Sequence, residues 1–131
     1  MGNGNATAST PLSKVLSMGL GVLVTSRNAV LRSAGFMVLP ATTLEEVGET
    51  YGFACFDVAI VGHAFSNLEK RAIVAFLKKY STAVVILVTS GEFLGCLPAD
   101  SYWDEGSPPE DLIHLVRGAM EVKRRGSAGR Q

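Results

Sequence analysis

Val58-Ala59-Ile60-Val61 constrains this chain more than any other stretch. These four consecutive apolar residues stand between Asp57 on one side and Gly62-His63 on the other. Ala83-Val84-Val85-Ile86-Leu87-Val88 repeats the pattern further along. Runs this short fall far below the roughly 20 residues that span a bilayer. Bounded by polar and turn-forming residues, they read as strands buried on both faces, which requires helices above and below a parallel sheet. In such sheets ligands and chemistry sit beyond the carboxyl ends of the strands, so Gly62 and His63 mark the place to look for a site.

The other elements fit around these two strands. Residues 1–12 are rich in Gly, Asn, Ser and Thr and read as a disordered leader. Ser13–Met18 is a first strand. The stretch after it is ambiguous, because Val22-Leu23-Val24-Thr25 has strand-like composition. A strand there would leave only about eight residues for a crossover that needs roughly ten or more, so Gly21–Ala34 is taken as the first helix. Its inward face is expected to carry Leu20, Leu23, Val24, Val30, Leu31 and Ala34, with Gly35 closing it. Phe36–Pro40 is the second strand. Thr43 and Glu46 form a capping box for a second helix with Leu44, Val47 and Tyr51 inward, ended by Gly52. A third helix is expected over Asn67–Tyr80, with Leu68, Ala72, Ile73, Phe76 and Tyr80 facing the core and Glu69, Lys70, Lys78 and Lys79 facing water. Gly91–Pro98 has room for one helical turn, and Asp100–Asp104 is a weak edge strand. Ser107-Pro108-Pro109-Glu110 opens the last helix with a capping serine and a proline at its first position, and Leu112, Leu115, Val116, Ala119 and Met120 form its stripe.

Strands alternating with helices give an α/β domain, a doubly wound five-stranded parallel sheet. The flavodoxin-like order 2-1-3-4-5, with helices on both faces, is expected, and it puts the site at the ends of strands one and three. A single domain over 13–122 follows, with a basic flexible tail over 123–131. The 131-residue length, 47% hydrophobic and 18% charged content support one compact core. A formal net charge of zero offers no general field for nucleic acid or an acidic membrane. Cys55 and Cys96 are too few for a disulfide framework and fit free thiols. The N-terminus lacks the features of a secretory signal, and Ala6 breaks a myristoylation motif, so a cytoplasmic location is expected.

In its order of elements the chain resembles the receiver domain of two-component response regulators, over roughly residues 14–122. Three local stretches carry the resemblance: Ser33-Ala34-Gly35-Phe36-Met37-Val38, Phe56-Asp57-Val58-Ala59-Ile60-Val61, and Ala99-Asp100-Ser101-Tyr102 with Ser107-Pro108-Pro109-Glu110-Asp111-Leu112. The resemblance implies a phosphoacceptor aspartate after strand three, an acidic pair after strand one that helps hold Mg²⁺, a lysine after strand five, and a Thr or Ser after strand four. Aligned without gaps, these positions hold Gly62, Met18 and Gly19, Glu105 and Thr89. Only Thr89 matches, and Tyr102 matches the aromatic whose rotation reports activation. The short interval from Thr89 to Tyr102 implies that the receiver's fourth helix is shortened or absent, and that the family's dimer mode should not be carried over.

Other candidates each have a plainer reading. His63 as phosphoacceptor or proton shuttle lacks a carboxylate nearby in sequence to orient it, and reads as a loop histidine. Cys55, His63, Cys96 and His114 match no metal-site spacing, so no metal is assigned. Asp57 stands at the wrong end of its strand to be a nucleophile. Asp104 and Glu105 read as acids that keep an edge soluble, and Gly19-x-Gly21 lacks the third glycine of a nucleotide loop, where Val24 stands. Lys123-Arg124-Arg125 reads as the cationic last turn of a helix.

These readings converge on a stand-alone pseudo-receiver: a signalling domain with no catalytic residues and no cofactor, not phosphorylatable at the usual position. It is expected to act through a protein partner, a signalling kinase or an output protein, within a phosphorelay-related system. Tyr102, Thr89 and His63 are its expected switch or contact residues, and a homodimer is a further option. No DNA-binding output domain is expected after the last helix, and no nucleic-acid or membrane partner is expected. The alternative is a small-molecule-binding domain using the side-chain-free space at Gly19 and Gly62, in an apolar pocket bounded by Met18, Gly62 and Thr89. A third reading, an enzyme using His63, requires an oriented imidazole in a cleft.

Overall fold

The computed structural model describes residues 13–62, 65–89 and 99–129, with side chains of the last helix as far as Lys123. The leader, His63, Cys96 and the Gly91–Pro98 turn lie outside the described residues. Five strands, β1 (Lys14–Met18), β2 (Met37–Ala41), β3 (Val58–Val61), β4 (Val84–Thr89) and β5 (Ser101–Asp104), form one parallel sheet in the order β2-β1-β3-β4-β5. Four helices are described: α1 (Val22–Ser33), α2 (Leu44–Thr50), α3 (Asn67–Tyr80) and α4 (Pro109–Gly129). The order and the layers are those the sequence implies.

Alternation along the central strands builds two cores. Leu16, Met18, Ala59, Val61, Val85 and Leu87 face α2 and α3, where they meet Val47, Ile73, Val74 and Leu77. Val15, Val58, Ile60, Ile86 and Val88 face the other way and meet Leu31 of α1 and Leu112, Val116 and Ala119 of α4. All four residues of β3 are buried, as a strand covered on both sides must be. The paired register Ser17↔Ile60 and Met18↔Val61 brings the carboxyl ends of β1 and β3 side by side, where the strand order reverses.

Helix boundaries follow local chemistry. Ser66 and Glu69 form a complete capping box at the start of α3, a feature worth about 1 kcal/mol. At α2 the box is displaced: Thr43 accepts from Glu46 N, but Glu46 Oε1 accepts from both N and Oγ1 of Thr42. Gly21 precedes α1 with φ +93°, a conformation that lets the chain turn into the helix directly after β1 and that a side chain would strain.

Two helical faces differ from the expected ones. On α1 the buried residues are Arg27, Asn28 and Leu31, while Leu20 and Leu23 are more than half exposed. On α3 the buried stripe is Lys70-Ile73-Val74-Leu77, with Leu68 and Tyr80 exposed and Lys70 only 2% exposed. Both stripes keep helical spacing but include a basic residue, and the apolar residues left outside lie in or next to the end turns of their helices. The last helix also runs on to Gly129, so Lys123 lies within it; Lys123 bonds Thr82 Oγ1 at 2.9 Å and pairs with Asp57 at 3.7 Å.

Candidate functional site

The carboxyl ends of β1 and β3 meet at Gly62, whose N donates to Met18 O at 2.8 Å. Strand alternation places any side chain at Gly62 on the same face as Val58 and Ile60, toward α1. That space is taken. A Cβ at Gly62 would stand 2.9 Å from Met18 O, 3.4 Å from Gly19 Cα and 3.7 Å from Arg27 Nη1. At Gly19 a Cβ would meet Val24 Cγ2 at 2.6 Å and Arg27 Nη2 at 3.3 Å.

Arg27 reaches this point because Ser17 interrupts an otherwise apolar strand on the face toward α1. Ser17 Oγ donates to Asn28 Oδ1 at 2.6 Å and accepts from Arg27 Nη2 at 3.0 Å. The same Nη2 donates to Met18 O at 3.2 Å. The guanidinium is thus held across the strand ends at 6% exposure. Burial pulls its pKa down to about 10, and the nearby Glu105 carboxylate acts in the opposite direction, so the group stays charged at neutral pH.

Of the other positions singled out from sequence, Met18 and Glu105 interact with this cation. Met18 is fully buried in the core on the α2–α3 side, so it does not wall an open pocket. Thr89 ends β4, where its Oγ1 donates to Trp103 O at 3.4 Å. Glu105 follows β5 and its N donates to Thr89 O at 2.7 Å. Tyr102 is 43% exposed on the edge strand. The apolar pocket expected between Met18, Gly62 and Thr89 is therefore replaced by packed backbone, Val24 and Arg27. Cys55 lies 4.0 Å from Lys14 Nζ, and no group of three metal-ligating side chains occurs among the described residues.

Sequence reasoning missed Arg27 and its partners. The available signal was the polar residue inside β1: a buried Ser17 needs hydrogen-bond partners, and Arg27-Asn28 supply them from the facing helix.

No family model matches the sequence, and no curated protein matches it. Solved structures do match in fold. A response regulator receiver domain protein from Methanospirillum hungatei JF-1 superposes with a TM-score of 0.75 at 18% identity, covering 88% of this chain and 99% of that one. A receiver domain protein from Clostridium thermocellum gives 0.74 at 22% identity, covering 86% and 98%. A response regulator protein from Burkholderia pseudomallei, solved with a phosphorylated aspartic acid and a calcium ion, gives 0.67 at 17% identity, covering 91% and 75%. The class is therefore defined: this chain has the fold of a response regulator receiver domain. Within that fold its strand-end site is particular, because a buried arginine and two glycines occupy the place where the resemblance puts acids. Mg²⁺ demands oxygen ligands, and a guanidinium flanked by Met18, Gly19 and Gly62 does not fit it.

Proposed function

We propose that this chain is a receiver-fold signalling module that does not take a phosphoryl group at its strand-end site and works by contact with a partner protein. The observation that supports this most is Arg27 packed against Gly62: a fixed guanidinium replaces both the nucleophile and the metal. A glycine offers no carboxylate to form an acyl phosphate, and Glu105, where the resemblance puts a lysine, adds negative charge in place of positive. The module is a cytosolic, non-enzymatic one in this reading, and no helix among the described residues is long and apolar enough to cross a membrane. Exposed Leu20, Val22 and Leu23, at the start of α1 beside the site, support a protein contact. The partner is a kinase or an output protein of a two-component pathway.

The test is intact-mass measurement after incubation with acetyl phosphate and Mg²⁺, and separately with beryllofluoride. An unchanged mass and an unchanged amide spectrum are expected. A stoichiometric adduct mapped to the strand-end face would overturn the proposal.

A further inference from the structure

The outward faces of α1 and α3 differ in kind. On α3 the exposed side chains include Glu69, Arg71, Lys78 and Lys79, the charged cover expected of a surface helix. On α1 the outward stripe is Val22, Ser26, Ala29 and Ser33, at positions i, i+4, i+7 and i+11, all exposed and all uncharged. Val22 is 80% exposed, and Leu20 and Leu23 beside it are more than half exposed. A groove of about 450 Å³ borders the other end of the stripe, lined by Val30, Ser33, Ala34, Ile113 and Arg117. Charge divides the same way: Glu105 lines the cavity beside Leu23, whereas Arg32 stands exposed in the last turn of α1.

We infer that this face of α1 pairs with the same face of a second copy of the chain, the two helices antiparallel about a two-fold axis between Ser26 and Ala29. The spacing of four, three and four residues reads the same in both directions. One axis therefore sets Ser26 against Ala29 and Val22 against Ser33 of the other copy. Each Val22 then enters the other copy's groove at Ser33, and each Arg32 comes level with Leu23 and Glu105 across the axis. An apolar knob and an acid at one end match a groove and a base at the other, and a second copy supplies that match in register. A helix of 12 residues is about 18 Å long, so the contact lies at the small end of specific interfaces and a micromolar dissociation constant is expected. The inference names the occupant of the apolar contact at the start of α1, and rests on the reading above that this contact is with protein. The rest of the surface stays open to the signalling partner.

Sedimentation velocity on the full chain over roughly 1–500 μM tests the pairing, a range that brackets a micromolar dissociation constant. The sedimentation coefficient should rise with concentration from that of a monomer towards that of a dimer. Over the same range the amide resonances that move should be those of Val22–Ser33, a readout that needs no variant to fold. Val22→Lys sets a lysine against Arg32 and Arg117 of the other copy, and Ala29→Arg brings two arginines together at the axis. Each, at an exposed position, should weaken association at least about tenfold. Val122→Lys, at an exposed apolar residue in the groove between α4 and β5, should leave association unchanged. A chain that stays monomeric throughout overturns the inference. So do dimers that resist both α1 variants, dimers that Val122→Lys dissolves, or concentration-dependent shifts that cluster away from α1. None of these outcomes bears on phosphoryl uptake, which the mass measurement reads separately.

Discussion

The two ends of the sheet treat charge in opposite ways. At the amino ends of the strands, charges stay near water: Asp100 bonds Lys78 at 2.7 Å and Val85 N at 2.8 Å, and Asp57 pairs with Lys123 at 3.7 Å. At the carboxyl ends, Arg27 and Ser17 are buried, and two glycines let backbone and guanidinium close over the strand tips. Exposed pairs of the first kind contribute little each, because solvent screens them and side-chain ordering offsets them. A charge of the second kind carries a desolvation penalty that its hydrogen bonds only partly offset. The ordinary end therefore docks helices onto the sheet, while the unusual end, in our reading, is where function resides.

The comparison breaks most easily at Gly62. Gly62→Ala should destabilise by roughly 2 kcal/mol in urea unfolding, because the new Cβ meets backbone that cannot move aside. Gly19→Ala should cost less despite its shorter 2.6 Å contact, since Val24 Cγ2 is a side-chain tip that can yield. Equal losses would show that both strand tips are rigid.

At the opposite end, Asp100→Ala should cost about 1 kcal/mol, chiefly from the lost acceptor for Val85 N. Burial raises the Asp100 pKa, but the hydrogen bonds from Lys78 and Val85 N, with the Lys78 charge, outweigh it and hold it below 3.8. A depressed carboxylate stabilises the fold above its unfolded value and loses that contribution as pH falls through its folded value. The difference between wild-type and variant stability should therefore shrink below about pH 4. A constant difference down to strong acid would remove the charge from the explanation.

Lys123→Ala should cost no more than about 0.5 kcal/mol, as expected of an exposed pair and one surface hydrogen bond. A small net change is expected even at the most conspicuous residue. Arg27→Met gives up two hydrogen bonds worth about 1 kcal/mol each, but also removes a buried charge whose desolvation is of similar size, so stability should stay within about 1 kcal/mol of wild type. A loss several times larger in chemical unfolding would make Arg27 a structural keystone and weaken its assignment to function.

Several of these features were legible in the sequence. The uninterrupted apolar runs of β3 and β4 and their alternation with helices lead directly to a parallel sheet, and Ser107-Pro108-Pro109-Glu110 marks the start of α4. Glycine at the tip of β3 was visible too. Its meaning was not, because the space it leaves is filled by Arg27, 35 positions earlier in the chain. Hydrophobic periodicity assigned Lys70 to solvent and Leu20, Leu23, Leu68 and Tyr80 to the core, and all five lie the other way. Periodicity gives the spacing of a stripe, whereas the rotation of a helix about its axis is set by what the sheet presents beneath it.

The sequence by itself determined that strands buried on both faces must be covered by helices, and that no acid stands at Met18, Gly19 or Gly62. Those facts follow from residue type and order alone. Only the tertiary structure decided that a cation closes the tips and that Arg27 and Trp103 line one cavity. A long polar side chain goes where partners and space coincide, and Ser17, Gly62 and Trp103 come together only when the sheet is assembled.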